Sequence, residues 1–334
     1  MSRLRGLTWD HPRGYNALAA AAGDLIHWDA QPLEGFEAHP LADLAERYDL
    51  LVIDHPHIGE ATECLVPLDD VFDASELAHW AKNSIGASMR SYHYDGKHWA
   101  VPLDAAAQVC ASRPDLLAAP PTTWNQVLAV REPVALSLAG PHAFLTFCSI
   151  AVALGEEYPV SDATGLAVLD TMAELHGRAP AGTVDLNPIG LLERLSSTDD
   201  IALIPLVFGY VNYAPTVRFS DAPGLGSTLG GTGLAITRRA TVTDELRDHV
   251  RWLMREDTQC GFIPSHAGQP SARAAWAVDG FYAGTARTLE NAWVRPRYPG
   301  YIAFQAQASA LIRDALDGVF SFRTCLAELR RMSQ

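Results

Sequence analysis

Apolar residues in the first 55 positions alternate between short continuous runs and helix-spaced stretches, with turn residues between them. The run at 49–53 is almost wholly apolar, which is typical of a strand buried on both faces of a sheet. The Ala- and Leu-rich stretch at 15–22 favours a helix. Strands are therefore predicted at 3–9, 24–28 and 49–53, and helices at 15–22 and 40–47. This alternation predicts an α/β sheet.

The rest of the chain continues the mixed pattern. Asp95-Gly96 between two short aromatic-rich segments predicts a hairpin turn. Pro205 interrupts the apolar run at 200–208, and a glycine-rich loop is expected at 224–233. Further strands are predicted at 133–138, 200–208 and 234–237, and helices from Thr123-Trp124 and at 75–83, 142–154, 162–176, 241–257, 306–317 and 322–332.

Composition excludes several classes of protein. The 334 residues allow two domains or one large one, and a hydrophobic fraction of 48% excludes general disorder. A formal net charge of −14 disfavours a nucleic-acid partner, because the chain would repel phosphates. No apolar run reaches the 18 residues of a membrane-spanning helix. The five cysteines are odd in number and lack C-x-x-C, so neither a zinc site nor a disulfide framework is expected.

Two Asp-His-Pro clusters are the first candidates for chemistry. Asp10-His11-Pro12 follows the first predicted strand, and Asp54-His55-Pro56 follows the buried one. Ligands of open α/β sheets bind outside the carboxyl ends of strands, so both clusters are candidates for a cleft wall. The alternative is that these residues cap the helices that follow. Metal binding by these residues and His57 is not expected, because no dedicated ligand spacing is present.

Other candidates lie later in the chain. Tyr210 and Tyr213 follow a predicted strand and have ring faces that can stack on a ligand. Gln269 and Arg273 lie in HAGQPSARAAW, where they suit a polar ligand or an anion, although a capped helix start explains the segment equally well. The stretch GLGSTLGGTG is not a dinucleotide fingerprint, because Leu229 stands where the third glycine is needed. It fits a crossing segment or a close backbone approach.

The order of these segments resembles the family 1 extracellular solute-binding proteins of ABC importers, most closely the sugar-type group related to maltose-binding protein. The resemblance is carried by LRGLTWDHPRGYNAL, YDLLVIDHPHIG with LVPLDD, YHYDGKHWAVPLDAAAQV, PLVFGYVNYA, LGGTGLAIT and AGQPSARAAW. It implies a type II two-lobe α/β fold with a ligand cleft between the lobes. By this resemblance, lobe 1 comprises 1–105 and about 232–265, and lobe 2 comprises about 110–226. Residues 266–334 would join lobe 2 or form shared C-terminal helices, and crossings are expected near 102–110 and 226–237.

The resemblance also implies which side chains face the ligand. The first lobe or the hinge would contribute Trp9, His11, Arg13, Asp54, His55, Tyr94 and Asp104. The second lobe or its return crossings would contribute Tyr210, Tyr213, Gln269 and Arg273. No cofactor and no metal are implied.

The leading hypothesis is a monomeric protein that closes over a small polar solute for ABC-type uptake, without catalysis and with an ABC permease as its partner. A sugar or polyol is the family default. A small carboxylate also stays open, because His11, Arg13, His55 and Arg273 are suitable partners for an anion. As written, the chain begins in the cytoplasm; an extracytoplasmic location follows if an export signal was removed.

The alternative is a cytoplasmic enzyme on the same fold, which acts on a small acid or sugar-like substrate. The menaquinone-pathway dehydratases resemble such a precedent. His11, Asp54 or His55 would then serve as acid or base. A cytoplasmic sensor or scaffold is the third interpretation.

Overall fold

The computed structural model describes residues 3–333. The strands are β1 (Leu4–Trp9), β2 (Ile26–Gln31), β3 (Leu50–Ile53), β4 (His93–Tyr94), β5 (Lys97–His98), β6 (Val101–Ser112), β7 (Leu203–Phe208), β8 (Arg218–Ser220) and β9 (Leu229–Ile236). The helices are α1 (Pro12–Ala21), α2 (Leu33–Ala38), α3 (Leu41–Ala45), α4 (Ile58–Ala61), α5 (Ala74–Asn83), α6 (Ser88–Ser91), α7 (Trp124–Ala129), α8 (His142–Ala153), α9 (Asp162–His176), α10 (Pro188–Ser197), α11 (Asp244–Leu253), α12 (Ile263–Ser265), α13 (Phe281–Asn291), α14 (Tyr301–Leu316) and α15 (Phe322–Met332). Within this part of the chain, no helix combines the length and hydrophobicity needed to span a bilayer.

The Cα positions divide the chain into two interleaved units. Unit 1 comprises the chain up to Ala106, Gly230–Val278 and Val294–Ile302. Unit 2 comprises Ala107–Leu229, Asp279–Trp293 and the chain from Ala303 onward. The chain passes from unit 1 to unit 2 after Ala106 and returns after Leu229. Both positions lie within the segments expected as crossings, 102–110 and 226–237.

Unit 1 is built on a mixed sheet whose inner strands are buried. Strands β2, β1 and β3 are parallel neighbours, and β9 runs antiparallel beside β3. All four residues of β3 are buried, as the continuous apolar run predicted. Leu50 and Val52 belong to the core on one face, with Trp9 and Trp28, whereas Leu51 lies in the core on the other. Successive side chains of β3 thus point to opposite faces of the sheet, and both faces are covered.

A close backbone approach explains part of the glycine-rich stretch. The expected loop at 224–233 is shorter than predicted, because β9 already begins at Leu229. Gly231 has φ +94°, and a Cβ there would lie 2.4 Å from the carbonyl oxygen of Asp104. Only glycine combines this conformation with this proximity.

Unit 2 pairs the second half of β6 with β7 and β8 in antiparallel register. The register shifts between Val109 and Ala111, opposite the position of Pro205, where a proline cannot donate to the ladder. The predicted strand at 133–138 is wrong: only Val134 forms a bridge, with Leu203. Helix α8 is buried along its first ten residues, which explains its almost uniformly apolar sequence.

Candidate functional site

The first predicted cluster lies where β1 leads directly into α1. His11 is the N-cap of α1, and its Nδ1 accepts a hydrogen bond from the backbone N–H of Arg13 at 3.2 Å. The capping interpretation therefore holds for this residue. Burial, reinforced by the neighbouring Arg13 charge, lowers the pKa of His11 to about 4, so the ring is neutral at pH 7. Trp9 packs over Gly14, where a Cβ would come within 2.4 Å of the indole ring.

Arg13 is neutralised inside unit 1 by an acid from another strand. Its Nε donates to Oδ2 of Asp104 at 2.7 Å, and its Nη2 donates to Oδ1 of the same carboxylate. The two side chains are only 4% and 7% exposed. Burial raises the pKa of Asp104, and the Arg13 charge opposes that rise. Because the two side chains are buried and bonded at two points, the pair carries no net charge and is shielded from solvent.

A small cavity adjoins this ion pair within unit 1. Its volume is about 30 Å³. Side chains that line it include Trp9, Arg13, Ala17, Asp104, Thr232 and Gln269. Four of these residues, Trp9, Arg13, Asp104 and Gln269, were predicted to face the ligand.

Gln269 and Arg273 lie in unit 1, whereas sequence analysis expected the second lobe or its return crossings. The reason is a backbone pairing: the N–H of Ala105 donates to the carbonyl of Gln269 at 3.0 Å, and Gln269 Nε2 donates to the carbonyl of Ala105 at 3.2 Å. Arg273 is exposed, and its Nη2 donates to the carbonyl of Ser84 at 3.1 Å.

The second Asp-His-Pro cluster is tied to a segment far along the chain. Nη2 of Arg295 donates to Oδ1 of Asp54 at 2.7 Å, across 241 sequence positions. Burial opposes ionisation of Asp54, but Arg295 and the His55 ring outweigh it and hold the pKa of the carboxyl well below its usual range. His55 is 0% exposed, and its Nδ1 lies 3.2 Å from Oδ1 of Asp54. Burial and the Arg295 charge lower the pKa of His55 to about 4.

Sequence reasoning missed Arg295. It lies in the segment WVRPRYPG, whose only local signal is a pair of arginines around a proline. The guanidinium side chain is 3% exposed. A buried arginine needs a partner, and Asp54 is that partner. Nothing in the spacing of the two residues indicates the pairing.

The remaining predicted residues are more dispersed. Tyr94 is half-buried in the β4–β5 hairpin, where its carbonyl accepts from Trp99 Nε1 at 2.9 Å. In unit 2, Tyr210 precedes a short 3₁₀ turn after β7 and Tyr213 ends it, with ring centroids 6.5 Å apart. Tyr210 is 4% exposed, whereas Tyr213 is half-buried. Burial, followed by the Glu193 carboxylate, raises the pKa of Tyr213 to about 12, so its hydroxyl keeps its proton at neutral pH.

Within unit 1 the structure thus builds two clusters that contain predicted residues: the Arg13–Asp104 cluster, and the Asp54–His55–Arg295 cluster, to which Arg295 is added. Each one matches a cation with a carboxylate. Between residues 3 and 333, no three His, Cys, Asp or Glu side chains come close enough together to hold a metal ion.

Comparison with solved structures identifies the fold. The chain is similar to an ABC transporter solute-binding protein from Agrobacterium radiobacter K84 in complex with ribitol (TM-score 0.78, 21% identity, 98% of this chain and 96% of that chain). It is also similar to maltose-bound MalE3 of T. maritima (TM-score 0.81, 16% identity, 99% of both chains). A third similar structure is the sugar-binding protein MalE of the phytopathogen Xanthomonas citri (TM-score 0.73, 16% identity, 98% of this chain and 95% of that chain).

No protein-family model matches the chain, and no curated protein does. The likeness to these structures shows that the chain has the two-lobe α/β fold of the ABC solute-binding proteins, so the predicted fold class and the predicted resemblance are confirmed.

Proposed function

We propose that this protein binds a small uncharged polar solute, a sugar or a polyol, and presents it to an ABC permease for uptake. The fold supports a binding role, since its structural neighbours include a solute-binding protein in complex with ribitol and a maltose-bound protein. The observation that carries the choice of an uncharged ligand is the buried ion pair between Arg13 and Asp104.

The charge state of the predicted residues argues against a small carboxylate. Of the four groups that suited an anion, Arg13 is paired with Asp104, and both His11 and His55 are neutral at pH 7 because burial lowers the pKa of each to about 4. Arg273 is the remaining cation, and it lies on the surface with a carbonyl partner. A carboxylate brought to the Arg13–Asp104 cluster would meet a carboxylate already in place, whereas hydroxyl groups need no net charge.

A thermal-shift screen with matched pairs tests this proposal. Each pair joins a neutral compound to its acid, such as ribitol with ribonate and maltose with maltobionate. We expect a neutral member to raise the melting temperature and its acid to leave it unchanged. A ligand that binds only the folded state stabilises it by about 2.7 kcal/mol at a hundredfold excess over Kd. Stabilisation by the acids alone would contradict the proposal.

The transport part of the proposal needs separate tests. We propose that the protein works outside the cytoplasm as a monomer beside its permease. Deletion of its gene should abolish uptake of the labelled solute, and fractionation should recover the protein outside the cytoplasmic membrane. Light scattering should give the mass of one chain, 36.2 kDa. Undiminished uptake in the deletion strain would contradict the transport role.

The enzyme alternative has no comparable support among residues 3–333. His55 is 0% exposed, and Asp54 is held by Arg295, so neither is poised to exchange protons with a substrate. Product analysis after incubation with the stabilising solute decides between the two functions. An unchanged solute is expected, and turnover would favour an enzyme.

A further inference from the structure

Arg297 is a partly buried arginine of unit 1 that has no carboxylate partner among residues 3–333. Its Nη1 donates to the carbonyl of Ser91 at 3.3 Å, and within the same part of the chain its Nε is buried without an acceptor. Its Nη2 has no acceptor there either and stays accessible to solvent. The buried arginines Arg13 and Arg295 are each paired with an aspartate. A cation left unpaired in a chain of 39 acids and 25 bases calls for an anion from outside.

The backbone of Arg297 is fixed by close packing against α4. A Cβ at Gly59 would overlap the carbonyl oxygen of Arg297, so only glycine allows this approach. The acid of α4, Glu60, accepts from the N–H of Gly300 at 2.7 Å and, within residues 3–333, forms no ion pair with Arg297. The segment is therefore held in place without neutralising its arginine.

A second cation lies beside this guanidinium. Arg90 directly precedes Ser91, whose carbonyl binds Arg297, and its side chain is exposed. Burial and then the positive charge of Arg90 lower the pKa of Arg297, against a smaller opposing effect of Tyr94. Between residues 3 and 333, Arg90 also lacks a carboxylate partner. The two like charges repel each other unless a counter-charge lies between them.

The charge and the donors of this pair define its ligand. Guanidinium groups bind the oxygens of phosphate, sulfate and carboxylate through parallel N–H donors. A dianion balances both arginines, whereas a single carboxylate leaves one positive charge uncompensated. The open Nη2 of Arg297 and the exposed guanidinium of Arg90 are the donors that such an ion can reach.

We propose that Arg90 and Arg297 form a site on unit 1 for a dianionic oxyanion, a phosphate or sulfate group. The group is supplied either as the inorganic ion or as an ester of a small molecule. This inference goes beyond the proposed function, because the transported solute is uncharged and neither arginine is among the residues expected to face it. Each proposal can therefore fail without the other.

The test is calorimetric titration with sodium sulfate at pH 7.5 and constant ionic strength. Heat is measured rather than melting temperature, because sulfate also stabilises proteins to which it does not bind. The proteins are the wild type, Arg90→Gln, Arg297→Gln and the control Arg47→Gln. Arg47 is an exposed arginine of unit 1 that lies over the Tyr48 ring, 5.7 Å from its centroid. We expect saturable binding at one site, weakened about tenfold or more in Arg90→Gln and Arg297→Gln and unchanged in Arg47→Gln.

Arg90→Gln guards against misfolding of Arg297→Gln, because it changes an exposed side chain. Parallel titrations with inorganic phosphate and glycerol 3-phosphate distinguish the two sources of the group. Tighter binding of the ester supports a site for a phosphorylated compound, and tighter binding of phosphate supports a site for the free ion. The inference is overturned if none of the three compounds shows saturable binding, or if Arg90→Gln and Arg297→Gln bind them as tightly as the wild type. Neither result affects the proposed function, which depends on stabilisation by a neutral solute.

Discussion

The buried His55 ring makes unit 1 sensitive to acid in a way that one substitution should remove. The side chain is 0% exposed, with Nδ1 3.2 Å from Oδ1 of Asp54. Burial and the Arg295 charge lower its pKa from 6.5 to about 4. His55→Gln keeps an uncharged hydrogen-bonding side chain at this position but cannot take up a proton.

The magnitude follows from the two pKa values of His55. Above pH 6.5 the ring is neutral in both the folded and the unfolded state, so protonation of His55 does not change the free energy of unfolding there. As the pH falls below 6.5, the unfolded state binds a proton first, and stability is lost until the pH reaches the folded pKa of about 4. The loss is about 2 kcal/mol by pH 5 and about 3 kcal/mol by pH 4. His11 titrates in the same window, but it is present in both proteins and cancels in the difference.

The assay is urea unfolding of the wild type and His55→Gln at pH 8 and pH 5, with hydrogen exchange of β1 and β3 as a readout specific to unit 1. From pH 8 to pH 5, His55→Gln should lose about 2 kcal/mol less unfolding free energy than the wild type. The control is His79→Gln, on the exposed surface of α5, which should behave like the wild type. Equal losses in the wild type and His55→Gln would show that protonation of His55 does not cause the acid sensitivity.

Two further substitutions test the packing around Arg13, Asp104 and Trp9. Asp104→Ala leaves Arg13 buried without its counter-charge, so urea unfolding should show a free energy of unfolding lower by about 3–5 kcal/mol. A decrease below about 1 kcal/mol would show that Arg13 does not depend on Asp104 for its charge balance. Gly14→Ala improves helix propensity by about 1 kcal/mol but forces a Cβ to within 2.4 Å of the Trp9 ring, where overpacking costs about 1–3 kcal/mol, so a net loss of up to about 2 kcal/mol is expected. Gly261→Ala lies in the π-helical turn where a Cβ meets nothing within 4 Å, so it keeps the propensity gain without a clash and should stabilise the protein by up to about 1 kcal/mol; stabilisation by Gly14→Ala as well would contradict the packing argument.

Long periodic elements and buried runs were predictable from the sequence. The helices at 162–176 and 322–332 have the predicted limits, and β3 occupies the apolar run at 49–53. These segments carry their own signal, since their periodicity or their unbroken hydrophobicity decides their structure without help from distant residues.

Local signals that depend on tertiary contacts were harder to interpret. The segment 133–138 has the composition of a strand, but only Val134 forms a bridge, so propensity alone does not make a ladder. The predicted helix at 241–257 ends at Leu253, and a π-helical turn at Thr258–Phe262 follows it. Helix α1 begins at Pro12 rather than at residue 15, because proline suits the first helical turn.

In the candidate site, too, residue types were predictable from the local sequence, whereas contacts between distant residues were not. Residue types and strand ends indicated Arg13, Asp54 and Asp104 from sequence alone. The pairing could not be predicted, because Arg13 and Asp104 are 91 positions apart and Arg295 is 241 positions from Asp54. Without its partner Arg13 looks available to an anion, so the sequence alone leaves a carboxylate ligand open.

Calorimetric titration at pH 7.5 shows whether the protein binds an uncharged polar solute in preference to an anion. The neutral sugar or polyol that stabilises the protein most in the screen is titrated first, and its matched acid is titrated under the same conditions. We expect saturable binding of the neutral compound and at least about tenfold weaker binding of the acid, a difference of about 1.4 kcal/mol. Tighter binding of the acid would contradict this expectation.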